Sequence, residues 1–513
     1  MSDSRNSKRS RSSKPKPVRH AFPAGVILLL CALSAAAVWW FHSKGYTLYY
    51  GDAQAHLSIA RRILDSRNPG YEQIGTVWLP LPHVLMLPLA RYDSLWRSGL
   101  AGAIPAAVFF VLGGVFLYFA ARRISACSAT ATAAVALFAL NPNMLYLQSA
   151  PMTETIFFGA LLGTLYFTLA GSRLGAAFFI LLAVLTRYEG WFLIPFAAAY
   201  LFDRKRIATW VLFVVIACAG PVYWLAHNQW YYGNPLEFYN GPYSAKAIYQ
   251  RAIDQGLERY PGDHDLPRAF RQYRAAAELC AGLPLLILAL PGAVAALFRR
   301  AWWPLVLLSL PSIFYVASIY SSGTPIFVPN LWPNSYYNTR YALAVIPLAA
   351  LAAAMLVTLA PRSWRRAAAV VVVLAAVAPW LLYPRMEGWV CWKEAQVNSQ
   401  ARRAWTSEAA QYLKQNYRIG EGVLASFGDL TGIFREAGIP LRQTLHEGNN
   451  PLWQASLNRP DLFLWQKWAV ATGGDAVANV LAKTGLRGPG YRCVKVVEVK
   501  GAPLIQIFER ELP

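Results

Sequence analysis

The chain has 513 residues, 56% of them hydrophobic and only 14% charged, where an ordinary soluble domain carries about 25% charged residues. The apolar residues come in long blocks, which excludes a soluble globular protein and points to a polytopic membrane protein. A formal net charge of +22 would suit nucleic acid, but the bases sit at the ends of apolar runs, where they act as topology signals, so no nucleic-acid partner is expected.

In chain order, residues 1–20 form a basic tail of Ser, Lys, Arg and Pro, read as disordered and cytoplasmic. The run 22–41 is too long for a signal peptide and lacks a small-residue cleavage site before Trp39-Trp40, so it reads as the first span. A polar loop, 43–98, follows. Further apolar runs lie at about 100–121, 127–145, 154–170, 174–185, 191–202, 207–226, 280–298, 301–320, 341–360 and 367–384, giving about eleven crossings in all. If the first run passes outward, Arg122-Arg123, Arg173, Arg204-Lys205-Arg206, Arg299-Arg300 and the bases of 362–366 all fall inside, as the positive-inside rule requires. The loops 43–98, 227–279 and 321–340, and everything after 385, then face outward.

The expected organisation is a transmembrane domain over 21–384 and a small extracytoplasmic α/β domain over 385–513. In the latter, 401–417 reads as an amphipathic helix, and 422–427, 462–465, 494–499 and 504–509 read as strands. No complete nucleotide-binding glycine motif appears there. Six cysteines are scattered without a CxxC, which argues against structural zinc. Cys391 and Cys493 both fall in the C-terminal region, where a disulfide and two free thiols are equal alternatives.

Polar groups at the span ends carry the chemistry. From Asp52 onward, Ala53, His56, Leu57, Ile59, Ala60, Ile63 and Leu64 share one helical arc. This predicts a helix lying on the membrane surface with Asp52 as its N-cap and His56 on the same side. Pro151-Met152-Thr153-Glu154 sets a carboxylate at the mouth of one run, where it could equally cap a helix. Thr186-Arg187-Tyr188-Glu189-Gly190-Trp191 and Asn338-Thr339-Arg340-Tyr341 put isolated bases on the outer side, against the topology rule. The aromatic loop from Trp230 carries Lys246.

Ionisable groups near the membrane are costly and default to a functional reading. One chemistry uses both signs. A sugar on a lipid phosphate leaves a phosphate anion that Arg or Lys can bind. The incoming hydroxyl needs a carboxylate to take its proton, and a partly dry carboxylate is the better base.

The set resembles the GT-C superfamily of polytopic glycosyltransferases, in the branch of protein O-mannosyltransferases and bacterial aminoarabinose or arabinofuranose transferases. The matching features run in order over 22–384: Asp52 early in the first outer loop, the Pro-rich segment from Thr76 through Trp78 to His83, and Met152-Thr153-Glu154-Thr155. They continue with Leu185-Thr186-Arg187-Tyr188-Glu189-Gly190, Tyr232-Gly233-Asn234-Pro235 with Lys246, and Arg340-Tyr341 with Pro347. Asp52 is followed by Ala53 where many members carry a second acid.

The resemblance implies inverting transfer of a sugar from a polyprenyl-phosphate donor to a hydroxyl of a glycan, lipid or protein, on the outer face of the inner (cytoplasmic) membrane. It implies Asp52 as general base, with Glu154 positioning the acceptor or sharing the proton work. Arg187, Lys246 and Arg340 would hold the donor phosphate. His56, Trp78, His83, Tyr188, Glu189 and Tyr341 would line the pocket. No cofactor is expected, although some relatives hold a divalent metal between two carboxylates, here Asp52 and Glu154. The competing reading is a lipid or sugar transporter or flippase, which would also need intramembrane charge; repeated halves, frequent in transporters, are not visible.

Overall fold

The computed structural model describes residues 23–484 and 490–511, so the basic tail lies outside the described residues. Among the described residues, six helices are long and apolar enough to cross a membrane: Ala24–Ser43, Leu100–Ser125, Arg204–Tyr232, Trp302–Tyr320, Thr339–Leu359 and Arg362–Leu382. A seventh is added if Leu266–Ala281 and Leu283–Phe298 form one broken span. Those two helices meet at 103°, and the joint is Gly282 at φ +82°, a left-handed conformation that favours glycine. The chain is a multi-pass membrane protein.

The expected count of eleven is therefore not reached by helix length. The runs at 127–145, 154–170 and 174–185 give the shorter helices Ser128–Ala139, Glu154–Leu169 and Arg173–Val184, and 191–202 gives Leu193–Leu201. Local chemistry breaks them. Asn141 caps a new helix, Pro142–Leu147, by accepting from the N–H groups of Asn143 and Met144. Gly171, at φ +74°, turns the chain between the next two. Leu81–Ala90 is a further short apolar helix, inside the segment read as a polar loop.

Close approach of small residues ties these elements together. A Cβ on Gly159 would stand 2.5 Å from the Phe109 carbonyl oxygen, and Gly113 lies directly across from it. The helices Leu100–Ser125 and Glu154–Leu169 thus meet backbone to backbone, which fixes Glu154 at the mouth of the second.

The C-terminal part is a mixed five-stranded sheet: β1 (Val423–Ala425), β2 (Thr444–Leu445), β3 (Trp468–Thr472), β4 (Tyr491–Val497) and β5 (Ile505–Arg510). The order is β2-β1-β3-β5-β4. β2, β1 and β3 are parallel, while β5 runs antiparallel to β3 and β4. The expected strand at 462–465 is absent: Pro460 starts a short helix, Pro460–Phe463, and the strand falls at Trp468–Thr472, almost wholly buried. The expected helix at 401–417 is the second half of a longer one, Val390–Asn416.

This linking helix and the sheet close over the first loop. The loop helix is Gly51–Leu64, and its N-cap is Tyr50, so Asp52 lies in the first turn and does not cap it. Nor does it lie on an open membrane surface. Leu57 and Ala60 share one core with Trp96, Trp405, Val423, Phe434 and Ile507, Ala53 belongs to the core of the membrane helices, and Ile59 packs with Ile74, Leu79 and Trp224. Both sides of the amphipathic pattern are covered. Arg61, assigned by periodicity to the wet side, is buried and bonds Asp65 at 3.1 Å and Asp93 at 2.5 Å.

The disulfide alternative fails on geometry. Cys391 is buried with its Sγ 3.9 Å from that of Cys280, while Cys493 is exposed on β4.

Candidate active site

Five segments far apart in sequence converge beside the N-terminus of the loop helix. Asp52 comes from its first turn, Glu154 from the mouth of Glu154–Leu169, and Arg187 and Glu189 from the turn after Arg173–Val184. Arg340 comes from the 3-10 turn Thr339–Val345, preceded by Asn338 at φ +53°. Glu394 comes from the linking helix.

Arg340 is the hub. Its Nε donates to Glu154 Oε1 at 3.1 Å, its Nη1 to Glu394 Oε1 at 3.3 Å, and its Nη2 to Asp52 Oδ2. Its guanidinium lies over the rings of Tyr50 and Tyr341, at 5.0 and 4.8 Å. Arg187 donates from Nε to Glu189 at 2.5 Å, from Nη1 to Thr153 Oγ1 at 2.6 Å and Glu154 at 3.3 Å, and from Nη2 to the Tyr315 hydroxyl at 2.7 Å. Tyr341 stands between the two guanidiniums and stacks on Tyr315. Two cations thus face four carboxylates, as buried charge requires pairing.

The carboxylates differ in access. The side chains of Glu154, Glu189 and Glu394 are 3%, 5% and 3% exposed, and that of Asp52 is 40% exposed. The dry surroundings expected of Asp52 belong to its neighbours instead. Glu154 is enclosed between the two arginines and does not reach the open side.

The expected pocket residues divide. His56 is buried; its Nδ1 lies 3.0 Å from His83 Nε2 and its ring against Trp78. It therefore pairs with His83 and not with Asp52. Burial, with the charges of Arg187 and Arg340 behind it, pushes its pKa down to about 3, so the imidazole is neutral. Tyr188 turns away to a small apolar group, donating to the Val77 carbonyl at 2.9 Å and stacking on Phe238. Lys246 sits on the exposed helix Ala245–Asp254, where its contacts are with Tyr239; it does not join the cluster.

Glu394 is the residue the sequence reading missed. Its carboxylate accepts from the N–H of Asn338 at 3.0 Å and of Thr339 at 2.7 Å, from the Thr339 hydroxyl, and from Arg340. Burial pushes its pKa upward, against the pull of Arg340 and the Thr339 bonds. A signal existed: in Val390–Asn416 it falls three and four residues after Cys391 and Val390, on the buried stripe, where an acid has no place unless paired.

A divalent ion bridging Asp52 and Glu154 does not fit, because the Arg340 guanidinium already lies between them, bonded to both. Among the described residues no group of three or more His, Cys, Asp or Glu is arranged to hold a metal.

No protein-family profile matches the chain, and no curated protein matches it in sequence. Solved structures do match in fold. ArnT from Cupriavidus metallidurans bound to undecaprenyl phosphate aligns with a TM-score of 0.58 at 16% identity, covering 95% of this chain and 98% of that one. The same protein in the apo state aligns with a TM-score of 0.55 at 16% identity over the same shares. The apo oligosaccharyltransferase of Archaeoglobus fulgidus aligns more loosely, with a TM-score of 0.48 at 12% identity over 88% of this chain and 69% of that one. The chain matches ArnT, a GT-C membrane glycosyltransferase, in fold over most of its length.

Proposed function

We propose that the chain is a membrane glycosyltransferase that moves a sugar from a polyprenyl-phosphate donor to a hydroxyl acceptor, with Asp52 as the general base. The ArnT-like fold supports the class of reaction and of donor, since undecaprenyl phosphate is the molecule bound in the solved relative. One observation carries the choice of base: of four clustered carboxylates, only Asp52 is open, at 40% side-chain exposure.

In the proposed step the acceptor hydroxyl gives its proton to an Asp52 oxygen as its own oxygen bonds the anomeric carbon. The bond from that carbon to the phosphate oxygen breaks on the opposite face, and its electron pair leaves with the polyprenyl phosphate. The configuration inverts, and one negative charge moves from Asp52 to the phosphate. Arg340 spends three of its N–H donors on Glu154, Glu394 and Asp52, and a guanidinium carries five in all. The remaining two can meet the phosphate, and the loss of charge on Asp52 loosens the bond that competes with it. Glu394 is a positioning residue: it fixes the 338–340 turn from which Arg340 projects. Glu154 and Glu189 hold Arg187 and Arg340 in place. Lys246 stays outside the proposed donor site.

The test is donor specificity. Membranes containing the chain should transfer sugar from polyprenyl-phosphate sugars and not from nucleotide sugars. Transfer from nucleotide sugars alone would contradict the reading.

We also infer that the cluster and the C-terminal sheet face outward, with about eleven passes through the membrane, on the distribution of basic residues. Cys493 is exposed on β4, so a membrane-impermeant maleimide should label it in intact cells. Labelling only after the membrane is opened would reverse the orientation.

A further inference from the structure

A second arginine cluster lies where the segment after Ala24–Ser43 meets the sheet domain. It surrounds a cavity of about 280 Å³ lined by Thr47, Tyr49, Arg97, Arg403, Arg435 and Glu436, among others. None of Asp52, Glu154, Arg187 or Arg340 belongs to its wall. Three guanidiniums face one carboxylate.

Their existing bonds are few. Arg435 is 93% buried by its 7% exposure, yet its Nε and Nη1 have no hydrogen-bond partner, and its Nη2 reaches Glu436 only at 3.4 Å. The Thr47 hydroxyl, also buried, has no partner either. Arg403 donates from Nε to Ser399 Oγ at 3.1 Å and leans on Tyr49, its guanidinium 3.9 Å from the ring centroid and its Nη1 3.0 Å from the hydroxyl. Arg97 donates from Nη1 to the Arg435 carbonyl at 3.5 Å, reaches Asp93 at 3.7 Å and remains 38% exposed. Burial, with Arg402 nearby, lowers the Arg435 pKa in spite of Glu436. Orphaned buried donors on a cation are costly and call for an acceptor.

We infer that this cavity binds a phosphate group. Several guanidinium donors converging on one small space suit a tetrahedral oxyanion, which offers more acceptor oxygens than a carboxylate. The cavity begins at His42, in the last turn of the first candidate span. That is the level at which lipid headgroups lie, so the phosphate comes from an anionic phospholipid or from free phosphate in solution. The inference stands apart from the proposed transferase activity.

The test uses the full chain purified in detergent. Its Tm is followed against phosphatidylglycerol, against phosphatidylcholine, and against sodium phosphate at constant ionic strength. A rise with phosphatidylglycerol alone assigns the site to a lipid headgroup. A rise with sodium phosphate, with or without the lipid, assigns it to the phosphate group as such. In either case Arg97→Gln, a partly exposed change that leaves folding intact, should raise the half-saturating concentration by about tenfold, the loss of one charge-assisted contact. Arg403→Gln should act in the same direction. The inference is overturned if neither probe raises Tm, if phosphatidylcholine matches both, or if both variants respond like the parent chain.

Discussion

Two arginine clusters flank the start of the loop helix, and they handle burial in opposite ways. Around Arg187 and Arg340, four carboxylates, two hydroxyls and two rings satisfy the guanidiniums. Around Arg435, donors are left without partners, and Glu436 is the one acid in the cavity wall. A cation enclosed with its counter-charges is a framework that can hold a reactive group in a fixed position. A cation enclosed without them is an incomplete site. The first cluster therefore reads as machinery around one open carboxylate, and the second as a receptor for an anion.

Truncation should separate the two. Arg340→Ala takes from buried Glu394 the cation bonded to it and leaves buried Glu154 with Arg187 alone, and a loss of about 3–5 kcal/mol is expected. The same variant should weaken donor binding more than acceptor binding. Arg435→Met removes a poorly satisfied charge and keeps the volume, so it should change stability by no more than about 1 kcal/mol in the absence of phosphate. Thermal unfolding of both variants in one detergent checks the contrast. Equal losses would erase the distinction.

A smaller effect concerns pH. His56 is held near pKa 3 in the folded chain against an ordinary 6.5. The unfolded chain binds that proton more readily, so His56 contributes stability that is complete above pH 6.5 and is lost as pH falls towards 3. His446, pushed down to about 2 by burial and by Arg62 and Arg67, acts with the same sign. His56→Gln should remove one proton from the acid-side slope of Tm and leave the neutral range unchanged. An activity step near pH 6.5 that disappears in His56→Gln would contradict a neutral, buried imidazole.

Much of this arrangement was legible in the sequence, for identifiable reasons. Asp52, Glu154, Arg187 and Arg340 stand at the ends of apolar runs, where a charge has no routine purpose, and the structure brings all four together. Lys246 came from the aromatic loop and the family resemblance and not from a span end, and it is elsewhere, on an exposed helix where a lysine carries no burial cost. Glu394 was hidden by its setting: the helix carrying it reads as part of a soluble domain, where a glutamate is ordinary. Only the fold reveals that its first turns run through the core of the membrane helices. Span length was misjudged at 127–145, where Asn141-Pro142 cuts an apolar run that composition alone left whole. The burial of the loop helix could not be read from periodicity, because its polar arc meets the second domain: Asp65 accepts from the N–H groups of Leu441 and Arg442, and Arg62 lies over Phe427.

The central claim is that Asp52 takes the acceptor proton. Asp52→Asn keeps the shape and a hydrogen-bond acceptor for Arg340 but cannot act as a base at neutral pH. The measurement is sugar transfer from a labelled polyprenyl-phosphate sugar in membranes, at matched protein level and Tm. The account predicts a fall of about 10²–10⁴-fold in turnover. Turnover equal to that of the parent chain in Asp52→Asn would contradict it.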